Sequence, residues 1–425
     1  MYRSFVFHSM IAAAMAASAQ TTLHQVLVLN EGRYDYLNQV QAIPVTLGSY
    51  DPVSGIYTEQ VTIADARFGN DVKVENEVVY VSADSFLLKY DANSFALLDM
   101  AIVRGIRRIA LWNDQLLVTR GEFGGLGHYF EVRDKNNFDL LYELTPADGL
   151  LYSSEAVVVI GDKAYLSVNN GFDWPDYTNL IGVVDLNAQV YDTEIDLGPD
   201  GYNPEHLMVS SGSLYAFNNK DYTGSSISKI DPASGTLEYT NNVAFNSGCG
   251  TSAAVDDKIY FMEYIVNQLA RYDLATEQVL DTLANGLSAY GVLGDPINNV
   301  MYVTTTDFVS SGTFYVTELN GMVLSSVAVG VSPGKMDLDL RMSTLVPEAQ
   351  GTNVVLIPNP AIDMIVVQGV VAGTRYELID ASGRVAVDRA LLNDHRVDVA
   401  VLPVGVYTIR FSTAHRSISL PLMKQ

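Results

Sequence analysis

Few side chains in this chain are suited to chemistry. Between residues 20 and 340 the histidines are His24, His128 and His206, and none has metal-ligand spacing to another, so no metal site is expected. Glu205-His206 sets a carboxyl beside an imidazole, the partnership that general acid–base catalysis needs; His206 simply beginning a strand accounts for the same pair. Glu155 could join Glu205 as a carboxylate pair, or the two could hold calcium with Asp173 and Asp176. Glu155, Glu205 and His206 are therefore the alternative catalytic set, and no residue is assigned a catalytic role outright. Cys249, between Gly248 and Gly250, fits tight packing better than a nucleophile's role, since no histidine lies near it in sequence. Arg104, Arg107 and Arg108, with Arg67 and Arg120, are the one basic concentration; they offer guanidinium to an anionic ligand group or pair with nearby acids.

The stronger signal is aromatic. Long loops carry Arg33-Tyr34-Asp35-Tyr36, then Phe123 with His128-Tyr129, Phe172-Asp173-Trp174 with Tyr177, Lys220-Asp221-Tyr222, and Asp307-Phe308; Tyr290 stands in a short turn. An aromatic ring carries about 150–250 Å² of surface. At about 25 cal/mol per Å², leaving one exposed forgoes on the order of 4–6 kcal/mol of burial. Each ring either folds onto its neighbours or awaits a partner, and the group favours a binding face. The candidate ligand-binding residues are Tyr34, Tyr36, Arg107, Phe123, His128, Tyr129, Phe172, Trp174, Tyr177, Tyr222 and Tyr290.

These loops hang on a repeated cadence running from Val26 to Leu340. An alternating strand carries Val28, Tyr80, Leu117, Tyr165, Tyr215, Tyr260 or Tyr302, and the next ends at Tyr50-Asp51, Tyr90-Asp91, Val132-Arg133, Val184-Asp185, Ile230-Asp231, Tyr272-Asp273 or Glu318-Leu319. Asp51-Pro52-Val53-Ser54-Gly55 and Asp231-Pro232-Ala233-Ser234-Gly235 are nearly one turn written twice, which makes these aspartates turn-formers. The first repeat lacks an innermost strand, and Met336–Leu340 is a strand with no repeat of its own. A ring closed by the C-terminal strand resolves both deficits. The pattern resembles seven-bladed β-propellers of the secreted bacterial surface-layer (YncE-like) kind, with Val28-Leu29-Asn30-Glu31-Gly32 similar to the opening of a propeller family common in Bacteroidetes. Ligands of such folds meet the face built by loops leading into the innermost strands and loops joining second to third strands, where the aromatic loops fall.

Residues 341–353 read as a linker. Short alternating strands follow from 354 to 425, a small Ig-like β-sandwich. Pro358-Asn359-Pro360, then Ser382-Gly383-Arg384, then Pro403-Val404-Gly405-Val406-Tyr407, and Lys424 near the end, resemble the type IX secretion C-terminal (Por) sorting domain of Bacteroidetes. The resemblance implies recognition by the type IX machinery at the outer membrane, with sorting-motif residues Pro358, Asn359, Pro360, Gly383, Arg384, Gly405, Tyr407 and Lys424. Met1–Ala19 reads as a signal peptide: Arg3, an apolar stretch, then Ala17-Ser18-Ala19. The expected chain is thus all-β: a signal peptide at 1–19, a seven-bladed β-propeller at 20–340, a linker, and a sorting domain at 354–425.

The formal charge of −24 falls almost wholly before residue 354, where it repels phosphate backbones, so no nucleic-acid partner is expected. One cysteine leaves no internal disulfide framework, and no apolar run past the N-terminus reaches the roughly 20 residues that span a bilayer. The expected function is ligand capture without turnover and without a cofactor, secreted or on the outer cell surface by way of the periplasm. Resemblance to propellers that capture cobalamin makes a corrinoid-like small molecule one candidate ligand. A lactonase-like hydrolase or lyase, with its carboxylate/His site at the channel mouth, and a protein-binding adhesin are the alternatives.

Overall fold

The computed structural model describes residues 20–221, 224–243, 251–343, 354–370, 374–392, 394–412 and 417–425. It divides into two compact units, Thr21–Met342 and the residues from Ser343 onward.

The larger unit is a seven-bladed β-propeller. Its seven four-stranded antiparallel sheets are joined in simple succession, except that the first is built from both ends of the unit. Pro333–Ser343 is the innermost strand of blade 1, followed outward by Gln20–Asn30, Val45–Asp51 and Ile56–Ile63. The innermost strands of blades 2 to 7 are Gly69–Glu75, Ile106–Trp112, Ser154–Ile160, Pro204–Ser210, Ser252–Val255 and Ala289–Asp295. The ring therefore closes with the C-terminal strand, as its missing partner in the first repeat requires. That strand continues past the expected boundary to Ser343, so Arg341 belongs to the sheet and not to a linker, and its side chain bonds Asp339 at 2.6 Å and Asn93 at 2.8 Å.

Period-two alternation explains why the ring holds. Successive residues of a strand face opposite neighbours, so each sheet contributes to two cores. Ile259 and Phe261 pack against Tyr215 and Phe217 of blade 5, while Tyr260 and Met262 pack against Met301 and Val303 of blade 7. A core of this kind lies between every pair of adjacent blades. Blades 7 and 1 are sealed by Tyr302, Phe314 and Val329 against Val26, Val28 and Tyr50, with the Tyr50 and Phe314 rings 4.6 Å apart.

The recurrent tyrosine has a second task. Hydroxyls of Tyr80, Tyr165 and Tyr260 donate to carbonyls of Lys135, Pro232 and Leu319, each in the outer turn of the following blade. The aspartates that end third strands receive backbone N–H groups two and three residues on, as Asp91 does from Asn93 and Ser94. In blade 3 the capping residue is Asp134, which accepts from Asn136 N; the turn starts one residue later than the Val132-Arg133 alignment places it.

The second unit is a small β-sandwich. Val355–Ile357, Met364–Gln368 and Arg396–Asp398 form one sheet; Val385–Leu391, Arg375–Asp380, Gly405–Ser412 and Ser417–Lys424 form the other. Leu356, Ile365, Val397, Leu378, Ile409 and Leu422 share its core. The Asn359 side chain brackets the last strand, donating to Pro421 O and accepting from Met423 N. Tyr407 is buried and donates to Pro403 O at 2.9 Å, Gly383 takes φ +84°, and Arg384 is exposed near Asp380. Among the described residues no helix is long and apolar enough to cross a membrane.

Candidate functional site

The site begins with a backbone irregularity repeated around the ring. Five innermost strands among the described residues start with a shift in register against their second strands, at Gly69/Asp71, Ile106/Ile109, Ser154/Val157, Pro204/His206 and Ala289/Gly291. The residues within those bulges include Asn70, Arg107, Arg108, Glu155, Glu205 and Tyr290. A bulge re-aims side chains out of the alternating pattern, and here it gathers polar groups at the mouth of the central channel. Small hydroxyls near the ends of second strands satisfy the displaced backbone. Ser82 donates to Arg107 O at 3.0 Å, Thr119 to Glu155 O at 2.6 Å and Thr304 to Pro333 O at 2.5 Å, each crossing to the next blade.

Two cavities of about 290 and 200 Å³ open along the channel. Arg108, Glu205, His206, Thr251, Gly334 and Lys335 line both; Glu31, Asn70, Arg107 and Tyr290 line the larger, and Asp71 and Lys73 the smaller. At Gly334 the chain closely approaches two side chains: a methyl group there would run into Glu31 Oε1 and the Tyr290 ring.

Glu155 organises the charges. Arg107 grips it with Nε at 2.6 Å and Nη2 at 3.0 Å, and Arg108 Nη2 reaches it at 3.1 Å. Burial pushes the Glu155 carboxyl up, but the two guanidiniums outweigh that and hold it at about 2. Glu205 has no such cation; burial and then the Glu155 charge push it up to about 7, and it accepts a hydrogen bond from Asn219 Nδ2. Burial, then the charges of Lys335 and Arg108, bring His206 down to about 3, so its ring is neutral; its Nδ1 faces Ser252 Oγ at 2.8 Å. Burial and then Arg108 bring the Lys335 ammonium down to about 8. Burial likewise raises Glu31, against a hydrogen bond from Tyr290. Glu205 and His206 line both cavities, while Glu155 is buried under the grip of Arg107 and Arg108, and among the described residues each of the three bonds a different partner and not one another.

Above the channel stands an aromatic rim. Phe172 lies over the Arg107 guanidinium, 5.1 Å from its ring centre, and meets Phe123 edge-on at 5.4 Å. Phe308 meets Tyr290 edge-on at 5.1 Å, and Tyr34 meets Tyr36 at 4.9 Å. Phe123 is 75% exposed, Trp174 72% and Tyr36 66%, so these rings remain available. Tyr129 and Phe172 flank a side pocket of about 190 Å³ between the loops of blades 3 and 4.

Other residues suggested by sequence have different positions. Tyr177 is only 8% exposed because it packs edge-on against Tyr202, which removes it from the open face. His128 is enclosed by carboxylates, Glu131 at 2.7 Å and Glu143 at 3.2 Å, and contacts Arg120. Arg67 and Arg104 are paired with Asp84 and Glu122, each at 2.5 Å. Tyr222 and Cys249 lie outside the described residues. The suggested calcium ligands do not assemble: Glu155 is occupied by guanidinium, Asp173 and Asp176 are exposed on a loop, and among the described residues no group of three or more His, Cys, Asp or Glu is placed to hold a metal. Sequence reasoning missed Lys335, Glu31, Asp71 and Lys73 as site residues; Asp71, Lys73 and Lys335 lie within the first five residues of innermost strands, whereas Glu31 follows the end of the second strand of blade 1.

Among solved structures, the chain is similar to the extracellular domain of a hybrid two component system from B. thetaiotaomicron, at 11% identity and a TM-score of 0.55. That alignment covers 96% of this chain and 60% of the other, so the chain spans less than two thirds of its length. Apo AztD from Citrobacter koseri aligns at 10% identity and a TM-score of 0.49, covering 77% of this chain and 100% of that one. BamB from Moraxella catarrhalis aligns at 10% identity and 0.46, covering 82% and 97%. No protein-family model and no curated protein matches the sequence. At these identities the first likeness supports the β-propeller fold and nothing finer.

Proposed function

We propose that the propeller is a capture protein for a small amphipathic molecule, which it binds at the channel mouth without transforming it. The observation carrying this reading is the continuous path from Phe123 through Phe172 to Arg107, which joins an exposed apolar ring to a charged throat. Sites for small molecules combine such apolar walls with a few convergent polar groups. The throat of about 290 Å³ takes a small group, and a corrinoid-sized body would rest on the rim above it. A recessed throat also suits a small molecule better than the flat face of an adhesin.

The enzyme reading has one observation in its favour, the separation of Glu205 near 7 from Glu155 near 2, which would assign an acid and a base. Against it, Glu155 is held by two arginines, His206 is held neutral, and the three do not bond one another. Delivery by type IX secretion, with the sandwich as sorting domain and a leader at 1–19, is part of the same proposal. It rests on the joint occurrence of the C-terminal motifs, and a secreted or surface location follows from it.

Trp174 provides the test. With Trp112 replaced by Phe, Trp174 is the sole tryptophan, and phenylacetate serves as a small aromatic probe. Saturable quenching of Trp174 emission is expected, and its loss in Phe123→Ala/Phe172→Ala. A linear response, identical in both proteins, would refute capture at this rim.

A further inference from the structure

Charge in the throat does not balance locally. Arg107 and Arg108 share one firmly ionised carboxylate, Glu155, while Arg108 also donates to the Asn70 carbonyl. Lys335 faces the same cavities, and among the described residues its Nζ has neither a hydrogen bond nor an ion pair. Two further acids are poor counter-charges for it. Glu205 and Glu31 are both held toward their neutral forms by burial, and Glu31 is engaged by Tyr290. Asp71 is occupied by the backbone N–H groups of Val72 and Ile109 and lies 3.8 Å from Lys73. An ammonium left without a partner in a partly buried cavity, beside a second cation, is unfavourable unless something negative arrives.

We propose that the throat is an oxyanion site, in which Lys335 and Arg108 hold the carboxylate or phosphate group of a small ligand. This rests on the capture reading above and names the acidic end of the captured molecule. The surrounding chemistry suits an oxyanion. Thr251 lines both cavities with a hydroxyl donor, and a neutral Glu205 carboxyl donates where an ionised one would repel. Arg108 is fixed at both ends and pre-aimed, whereas Lys335 is free to move onto the anion, the usual division between planar and point-charge partners. The bulge that carries Arg108 and the closing strand that carries Lys335 lie in different blades, so the site exists only in the closed ring.

The experiment is calorimetric titration of succinate, inorganic phosphate and phenylacetate into wild type, Lys335→Met and Phe123→Ala/Phe172→Ala at constant ionic strength and pH 6.5. Succinate or phosphate is expected to bind wild type and to bind Lys335→Met at least tenfold more weakly. Preference for succinate assigns a carboxylic acid and preference for phosphate a phosphate ester; either supports the site. Equal binding to wild type and Lys335→Met, or no binding of either oxyanion to wild type, overturns it. If phenylacetate ignores the rim variant while both oxyanions still require Lys335, the aromatic-capture reading fails and the oxyanion site stands. Should Lys335→Met not fold, the melting temperature of wild type decides: it must rise with phosphate or succinate over sodium chloride at matched ionic strength, and no rise overturns the proposal.

Discussion

At the scale of single residues, the throat is a place where folding tolerates unfavourable charge. Glu205 is the clearest case. Its carboxyl is raised from 4.5 to about 7 in the folded protein, by burial first and by Glu155 second. Between those pH values the folded state binds more protons than the unfolded state, so this group's contribution to stability falls as pH rises from 4.5 to 7 and is flat above. Glu205→Gln removes that penalty while keeping an oxygen for Asn219 Nδ2. The variant is expected to match wild type near pH 4.5 and to exceed it by on the order of 2–3 kcal/mol at pH 8. Urea denaturation at the two pH values checks this; an offset that does not change with pH would mean that Glu205 is not destabilised by its charge. Lys73, Lys335, Arg107, Arg108, Glu31, Asp71, Glu155 and Asp337 share this neighbourhood and are unchanged in the comparison. Of the throat residues, Glu155, Glu205, His206 and Arg107 were legible in the sequence by type and by position at strand starts. Lys335 was not, because only ring closure brings residue 335 across from residue 108, and no local pattern encodes that contact.

At the scale of elements, the bulges are what turn strands into a site. An unbroken alternating strand would point successive residues into the two neighbouring cores; the register shifts instead gather polar side chains of Asn70, Arg107, Arg108, Glu155, Glu205 and Tyr290 at the channel mouth. Their backbone groups would be left unsatisfied without the hydroxyls of the neighbouring strands. Thr119 shows this most fully: its Oγ1 donates to Glu155 O and accepts from Arg108 N, joining two bulges. Thr119→Val keeps the shape and removes both bonds. A loss of about 1–3 kcal/mol is expected from two stranded backbone groups, measured as a lower urea midpoint with an unchanged slope. Wild-type stability in that variant would contradict the bracing role. Strands were readable from their alternation, and the short strands expected from 354 to 425 are there, with Gly, Pro and Asp turns between several of them. Bulges were not readable, since an inserted residue only shifts the phase of a short alternating run. The fate of the aromatic rings was equally hidden. Tyr177 and Trp174 sit three residues apart in one loop, yet one is buried against Tyr202 and the other is open.

At the scale of the whole molecule, closure does two jobs. It removes the free edges that an open seven-sheet array would expose, and it brings the last strand of the propeller into the throat beside strands formed from the middle of the chain. Closing the ring with residues 333–343 therefore makes the binding face and the stability of the fold one property. The sandwich that follows has its own core, in keeping with a role separate from binding. Its motif residues also serve that core and its last strand: Tyr407 is buried and Asn359 holds residues 421 and 423. The central claim is that the aromatic mouth and charged throat together capture a small acid. The most direct measurement is native mass spectrometry of the protein purified from its own source, beside a Phe172→Ala/Lys335→Met variant prepared in the same way. The account predicts a small acidic molecule retained by wild type, released on denaturation and missing from the variant. Wild type carrying no more retained mass than the variant would contradict it.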